Sequence, residues 1–428
     1  MILTILYALI GFIILVFVHE LGHFVFARLG KVGVEEFAVG MGKAIFQKKH
    51  KNTLYRINIF PIGGYCKLKG QSDFGPAEVN LDKDNFFSRP PMVRFLVSFG
   101  GPFFSYLLGL LFLTFALFFQ GETKINTTRI STHPGHALFQ DGDEILSIQD
   151  KKVSHWQSVE QTLAENHKKE LKIVVKRKDQ EVIFYYTPNI ENPDFTLYSH
   201  GNPQIKEVLE KSPAQEAGIK AGDQILFIND MAIEDEMDLK YFIQTSSLPL
   251  KIKVLRETQT LNFEVGHLNT QNNKRLLGIT FHVPRKDLPI TQNSYSFGTA
   301  FSLGFKKSFD VISMSYKGIV YLIKGDIQFK ENVSGPIQIF SSLGQAGSGG
   351  GFFNFLSFAG FISLALAFFN FLPFPALDGG HMVISLIEAI FRKRINVKVI
   401  NALQIIGITF LLGMILFVTF NDIVKMIK

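Results

Sequence analysis

Four long stretches without a charged residue constrain the fold of this chain more than any other feature of its sequence. They are positions 2–18, 95–119, 352–372 and 399–420. An apolar helix of about 20 residues crosses the hydrocarbon core of a bilayer. The composition agrees, because 47% of the residues are hydrophobic and only 19% are charged, against roughly 25% charged residues in soluble proteins. The sequence therefore predicts an α-helical polytopic membrane protein with four transmembrane helices, and it excludes a fibrous or disordered chain.

The basic residues next to these stretches predict an orientation. They cluster between the first and second stretches, and again at Arg392, Lys393, Arg394 and Lys398 between the third and fourth. Loops rich in Lys and Arg stay in the cytoplasm, so both termini and the segment 121–351 are expected outside. The net charge of +7 is then mostly a topology signal, and no nucleic-acid partner is expected. Because Cys66 is the single cysteine, any metal site must use His, Asp or Glu.

The segment outside contains an internal repeat of about 80 residues. Positions 141–148 match 221–228, and positions 171–177 match 250–256. Each copy has a Gly-Asp turn, a strand, a helical stretch and an alternating hairpin. The run from Ser212 to Ile225 resembles PDZ domains, which bind an extended peptide as an added strand. We therefore expect two extracytoplasmic PDZ-like α/β domains, with a simple spacer role as the alternative for either.

These patterns give a predicted domain organisation. Positions 297–325 mix apolar residues with lysines, which is typical of amphipathic helices on a membrane surface, and the glycine-rich run 344–351 predicts a flexible hinge. The predicted boundaries are 1–30 for the first span, 31–94 for a cytoplasmic loop with a β-hairpin, 95–120 for the second span, 121–201 and 202–285 for the two PDZ-like domains, 286–351 for the surface helices and hinge, 352–391 for the third span with the segment that follows it, and 399–420 for the fourth span.

The first span is interrupted by the sequence His19-Glu20-Leu21-Gly22-His23. Residues four apart share a helix face, so both imidazoles can bind one ion, with Glu20 on the neighbouring flank. Ionisable groups inside a span cost about 3 kcal/mol each and are usually functional. A bound cation would offset that cost, so the motif predicts a metal site within the membrane.

A third metal ligand is expected, because catalytic zinc sites use three protein ligands and leave one position open. Asp378 is the leading candidate, since Pro373 and Pro375 break the helix before it and let its carboxylate point inward. His381 is the competing candidate, although a role in capping the following helix is the alternative for that side chain.

These motifs together resemble the site-2 protease family of intramembrane zinc metalloproteases. The resemblance rests on the H-E-x-x-H motif in a span, the later Asn370-Phe371-Leu372-Pro373-Phe374-Pro375-Ala376-Leu377-Asp378-Gly379, and the PDZ-like segment between them. It covers nearly the whole chain, and the layout is similar to the RseP-like, sigma-E-regulating subgroup.

The resemblance implies roles for individual residues. His19, His23 and Asp378 would be zinc ligands and Glu20 the general base. The segment 56–68, with a Pro and Gly turn between two alternating halves, would be the hairpin that holds substrate extended. Its substrate-binding residues would be Ile59, Gly63, Gly64 and Tyr65, together with Asn370. One departure is Ser105, which stands where the family more often has Asn.

Two functional classes follow from this sequence. The first is a Zn²⁺-dependent protease of the bacterial inner membrane that cuts single-span proteins, such as an anti-sigma factor or remnant signal peptides, within the lipid bilayer. The second is a non-catalytic, membrane-anchored PDZ receptor for exported protein termini. A zinc transporter is a third reading, and the second span, with almost no polar residues, argues against it.

Overall fold

The fold is described from a computed structural model that covers residues 2–70, 82–166, 169–189, 194–198, 201–271, 274–283, 288–325 and 333–427. The chain divides into two compact units. One unit combines Met1–Gly121 with Ser294–Lys428, and the other is Glu122–Asn293.

The elements are numbered in chain order. The helices are α1 (Ile2–Leu29), α2 (Pro91–Phe119), α3 (Trp156–Glu165), α4 (Pro213–Glu216), α5 (Glu236–Thr245), α6 (Phe297–Lys324), α7 (Pro336–Phe371), α8 (Asp378–Phe391) and α9 (Val397–Ile427). The strands are β1 (Val34–His50), β2 (Thr53–Leu68), β3 (Glu122–Ile125), β4 (Ile130–Thr132), β5 (Glu144–Ile148), β6 (Lys151–Lys152), β7 (Leu171–Arg177), β8 (Gln180–Tyr186), β9 (Phe195–Leu197), β10 (Gln204–Val208), β11 (Gln224–Ile228), β12 (Met231–Ala232), β13 (Leu250–Arg256), β14 (Gln259–Val265), β15 (Asn269–Gln271), β16 (Lys274–Leu276), β17 (Ile279–His282) and β18 (Ile290–Asn293).

Among the described residues, four helices of the first unit are long and apolar enough to cross a membrane, namely α1, α2, α7 and α9. The prediction of four spans is therefore confirmed, and the chain is a membrane protein with additional sheet domains. The glycine-rich run before the third span differs from its prediction, because it is helical up to Gly350. The helix breaks at Gly351, where φ is 82°, and the apolar part of α7 begins directly after this break.

Helix α6 also differs from its prediction. It is one continuous helix, and its first half lies along α2 instead of across the end of that span. The ring of Phe297 contacts Phe118, with centroids 5.7 Å apart. Farther along, the hydroxyl of Ser308 lies 3.0 Å from the hydroxyl of Tyr106, which is about 20 Å from the end of α2 at 1.5 Å per residue. This part of α6 therefore packs beside the apolar span.

Strands β1 and β2 bend back on themselves and form a sheet of four segments. Segment 34–39 pairs on one side with 64–68 and on the other with 54–57, and segment 44–50 pairs with 53–58. The predicted hairpin over 56–68 is thus one bent strand, folded near Gly63, where φ is 82°. The sheet has two outer segments, 64–68 and 44–50, and we refer to them as the inner edge and the basic edge.

Two larger sheets of the second unit repeat the same order of elements, and three two-stranded sheets accompany them among the described residues. The first sheet has the strand order β6-β5-β7-β8, and the second has the order β14-β13-β11-β10-β17, with β12 paired to β11. Each sheet has a buried aspartate that forms a two-pronged ion pair with an arginine of the neighbouring strand. Asp143 pairs with Arg177, and Asp223 pairs with Arg256, at 2.6–2.9 Å. Each sheet also has its own apolar core.

Candidate metal centre

Helix α1 brings two imidazoles together within the first span. His19 and His23 are one turn apart, and their Nε2 atoms are 3.3 Å from each other. The carboxylate of Asp378, at the start of α8, lies 3.3 Å from His19 Nε2 and 3.4 Å from His23 Nε2. All three donor groups are partly buried and lie within 4.8 Å of one another.

These donors fit a zinc ion. Two imidazole nitrogens and one carboxylate form a common ligand set for catalytic zinc. With bonds of about 2.0–2.1 Å, the ligand atoms of a tetrahedral site lie about 3.3 Å apart, which matches the distance between the Nε2 atoms of His19 and His23. Asp378 reaches the same spacing with a different oxygen for each ring, Oδ2 at 3.3 Å from His19 and Oδ1 at 3.4 Å from His23. A fourth position would remain for water or substrate.

A tight turn after α7 places Asp378 next to His19 and His23. The helix ends at Phe371, and the residues that follow include Ala376 in the left-handed region, with φ of 78°. Gly379 and Gly380 then pack against the carbonyl oxygens of the preceding turn, so that a Cβ at either position would collide with the backbone. The two prolines and two glycines of this segment thus permit a reversal that an uninterrupted helix would not make.

The outer nitrogen of each histidine also has a partner. His23 Nδ1 donates a hydrogen bond to the carbonyl oxygen of Val97 at 2.9 Å, so Nε2 is the ring nitrogen that faces Asp378. His19 Nδ1 lies 3.0 Å from the hydroxyl of Ser105, whose own carbonyl accepts a hydrogen bond from Ser363. Such partners orient histidine ligands and tune metal affinity.

The sequence pattern had identified Ser105 only as a departure from the family, and it had not identified Val97 at all. A helical repeat shows which residues share a face of α1, but it does not show which residues of α2 face them. One sequence signal was present in the pair Gly100-Gly101. Gly101 lies against both imidazole rings, and a Cβ at this position would overlap His23.

A cavity of about 240 Å³ surrounds these groups, and the inner edge of the β1–β2 sheet forms part of its wall. The lining residues are His19, Glu20, His23, Gly64, Tyr65, Cys66, Leu68, Val97, Ser98, Asn370, Ala376 and Asp378. Glu20 therefore opens onto the same space as the three donor groups. The outer side of the inner edge pairs with no other strand in the part of the chain that the structure describes.

Three residues singled out from the sequence lie away from this cavity. Ile59 is 54% exposed, and Gly63 lies beside the side chain of Met41. His381 points towards α9, where its Nε2 accepts a hydrogen bond from the amide of Gln404 at 3.0 Å. The fold therefore brings Asp378, and not His381, to the histidine pair.

Comparison with known proteins agrees with this geometry. Residues 7–414 match the family described as peptidase family M50. A protein of Borreliella burgdorferi named as a zinc metalloprotease is 30% identical over 98% of both chains. The regulator of sigma E protease of Haemophilus influenzae is 28% identical, also over 98% of both chains. The chain therefore belongs to peptidase family M50, which confirms the site-2 metalloprotease family predicted from its motifs.

Proposed function

We propose that this chain is an intramembrane zinc metalloprotease that hydrolyses peptide bonds within the membrane segments of single-span proteins. The observation that carries this proposal is the meeting of His19, His23 and Asp378 within a unit built around apolar spans. Three ionisable side chains have no structural reason to meet in lipid unless an ion compensates for their burial.

Zinc is the cofactor that these residues would hold, in agreement with the names of the relatives. His19, His23 and Asp378 are its proposed ligands. When bound, zinc supplies Lewis-acid chemistry, by which a scissile carbonyl is polarised and a water becomes a stronger nucleophile at neutral pH. Val97 and Ser105 hold the two imidazoles in the orientation that ligation needs.

Glu20 is the proposed general base. It lies next to His19 on α1 and lines the same cavity. Its carboxylate accepts the proton of the attacking water and then delivers that proton to the leaving amine of the substrate. Proton transfer by a positioned side chain of this kind contributes roughly 10²–10⁴-fold to a reaction rate.

The inner edge is the proposed substrate platform. A helical substrate hides its peptide bonds, whereas the backbone groups of an outer strand can hold an unwound segment by strand addition. Gly64 and Tyr65 line the cavity on this edge, and Asn370 faces it from α7. Asn370 donates one N–H of its amide to the carbonyl of Leu366, so its amide oxygen and second N–H are the groups that it can offer to substrate. Ile59 and Gly63 belong to the fold of the sheet in this proposal and do not contact substrate.

The two repeated sheets of the second unit are proposed to be PDZ-like domains outside the cytoplasm. Their shared order of elements and their equivalent Asp–Arg pairs support a duplication. We place the protein in the bacterial inner membrane, with these domains on the outer side controlling which substrates enter. An anti-sigma factor is one candidate substrate, because one relative is named a regulator of sigma E protease, and remnant signal peptides are another.

The receptor hypothesis accounts for fewer of the observations. A membrane-anchored PDZ receptor would need the sheets of the second unit, but it would not need a carboxylate and two imidazoles in contact beneath the lipid surface. Nor would it need Glu20 beside them. Because these residues form one cavity with an open strand edge, hydrolysis is the function that uses the whole site.

The deciding experiment compares the purified chain with its Glu20→Gln variant in nanodiscs that contain a single-span test substrate. We expect the variant to lose at least 100-fold in cleavage rate, in line with the roughly 10²–10⁴-fold contribution of a general base, while it still binds one equivalent of zinc. The matched control is Glu236→Gln, since Glu236 lies on α5 in the second unit and pairs with Lys240 of the same helix. Equal cleavage by Glu20→Gln and the wild type would reject the protease assignment.

A further inference from the structure

The basic edge of the β1–β2 sheet carries a cluster of positive charge that the proposed catalytic role does not use. Lys48 and Lys49 lie within segment 44–50, Lys43 and Lys51 lie directly at its two ends, and all four lysines are exposed. The chain has no aspartate or glutamate from position 37 to position 70. This edge is therefore a strongly cationic part of the sheet.

Other basic residues of the same sheet region are neutralised locally. Arg56 pairs with Glu36 at 2.9 Å, and Lys67 pairs with Glu35 at 2.9 Å. Lys69, just beyond β2, lies 2.8 Å from Asp84. By contrast, none of the four lysines of the basic edge has a carboxylate within ion-pair distance among the described residues. The positive charges of Arg56, Lys67 and Lys69 are thus balanced by carboxylates, whereas the positive charges of the basic edge are not.

Exposed apolar side chains accompany these lysines. Ile45 and Phe46 lie on the basic edge and are 70% and 57% exposed, and Phe60 on β2 is 63% exposed. Four residues separate the end of α1 from the start of the sheet, so the sheet lies next to the end of a span. Apolar side chains beside lysines at the end of a membrane helix are typical of a surface that contacts lipid headgroups.

We propose that the basic edge binds the anionic phospholipid headgroups of the adjacent bilayer leaflet. The lysines would contact the phosphates, and the apolar side chains would enter the boundary between headgroups and acyl chains. A nucleic acid or a soluble acidic protein would match the charge, but it would leave Ile45 and Phe46 exposed to water.

This contact would also affect the catalytic cavity. The basic edge is hydrogen-bonded to segment 53–58, which continues through segment 34–39 to the inner edge. A lipid contact at one side of this continuous sheet therefore holds the opposite side in place beside Glu20. This consequence rests on the proposed function, whereas lipid binding itself does not.

The test for binding uses the full-length Glu20→Gln variant, so that its outcome is independent of catalysis. Lipid is titrated into detergent-solubilised protein, and bound phosphatidylglycerol and phosphatidylcholine are counted by native mass spectrometry. We expect phosphatidylglycerol to bind at least tenfold more tightly, and we expect this preference to fall at least fivefold when all four lysines are changed to Gln. Changing them to Arg keeps the charge and should keep the preference.

The matched control removes four exposed lysines from the second unit, by Lys151→Gln, Lys152→Gln, Lys211→Gln and Lys220→Gln. This control should retain the lipid preference of the parent. The proposal fails if the basic-edge variant binds phosphatidylglycerol as tightly as its parent does, or if the control loses as much. It also fails if heparin binds the basic edge and phosphatidylglycerol does not, because the surface would then serve a soluble partner.

A second readout separates the two parts of the inference. Cleavage of a single-span substrate by the wild-type chain is compared in nanodiscs of phosphatidylcholine alone and in nanodiscs with one fifth phosphatidylglycerol. We expect at least a threefold faster reaction with the anionic lipid, and no such difference for the four-lysine variant. A difference that persists in the variant would refute the coupling to the cavity, even if the binding result holds.

Discussion

A buried ion pair between α2 and α8 provides a sharp test of how the site is held together. Arg94 and Glu388 are each 3% exposed, and a guanidinium nitrogen of Arg94 donates to Glu388 Oε2. The other carboxylate oxygen of Glu388 accepts the backbone N–H of Ile395 at 2.8 Å. The side chain of Glu388 therefore links α8 to α2 and to the segment before α9. The first residue of α8 is Asp378, so this link bears on the position of the metal-site carboxylate.

The expected cost of breaking this pair follows from its burial. Removing one partner of a buried ion pair costs about 3–5 kcal/mol, because the other charge is left uncompensated. Glu388→Ala also leaves the N–H of Ile395 without its acceptor, which adds about 1 kcal/mol. We therefore expect Glu388→Ala to lower the free energy of unfolding by about 5 kcal/mol. Glu388→Gln keeps an acceptor for Ile395 and should lower it by about 3 kcal/mol.

The assay is urea unfolding in mixed micelles, combined with zinc affinity measured by competition with a chelator. The double variant Arg94→Leu with Glu388→Leu removes both charges, and it should unfold within about 1–2 kcal/mol of the wild type because apolar replacement of a buried pair is often nearly neutral. If Glu388→Ala unfolds within about 1 kcal/mol of the wild type, the pair does not anchor α8. The reasoning also fails if the double variant is as unstable as Glu388→Ala.

Two further predictions concern other parts of the chain. Ser105→Ala removes the hydroxyl partner of His19 and should weaken zinc binding about 10–100-fold, measured by the same chelator competition, whereas Ser363→Ala is the control and should weaken it less. In the second unit, burial and the nearby carboxylates of Asp235 and Asp141 raise the pKa of Asp238 to about 6 from 3.8. The folded chain then holds this proton more tightly than the unfolded chain, so the stability contributed by protonated Asp238 is lost as the pH rises towards about 6. Asp238→Asn should raise the free energy of unfolding by roughly 1 kcal/mol at about pH 7.5, once solvent screening is allowed for, and thermal unfolding should show a higher midpoint than the wild type. This difference should disappear near pH 4, and an equal difference at both pH values would contradict the raised pKa of Asp238.

The sequence alone determined the parts of this protein that depend on local chemistry. Lipid accepts long apolar helices, so four uncharged runs predicted four spans, and the helical period placed His19 and His23 on one face of α1. The duplicated pattern of the second unit was also visible, because each copy repeats its turn, strands and helix in order. The spans and the histidine pair lie within stretches of fewer than about 30 residues, where side-chain periodicity and backbone geometry are coupled directly. The duplication is visible because short patterns recur about 80 residues apart.

Only the tertiary structure decided which distant segments meet. It brought Asp378 to the histidines and sent His381 to Gln404, although both residues belong to the same short segment. It gave His19 a partner in Ser105, which the sequence pattern had marked only as a departure, and it laid α6 along α2. Contacts of this kind depend on how helices rotate and pack against one another. The periodicity of a sequence shows which residues share a helix face, but it does not show which other segment packs against that face.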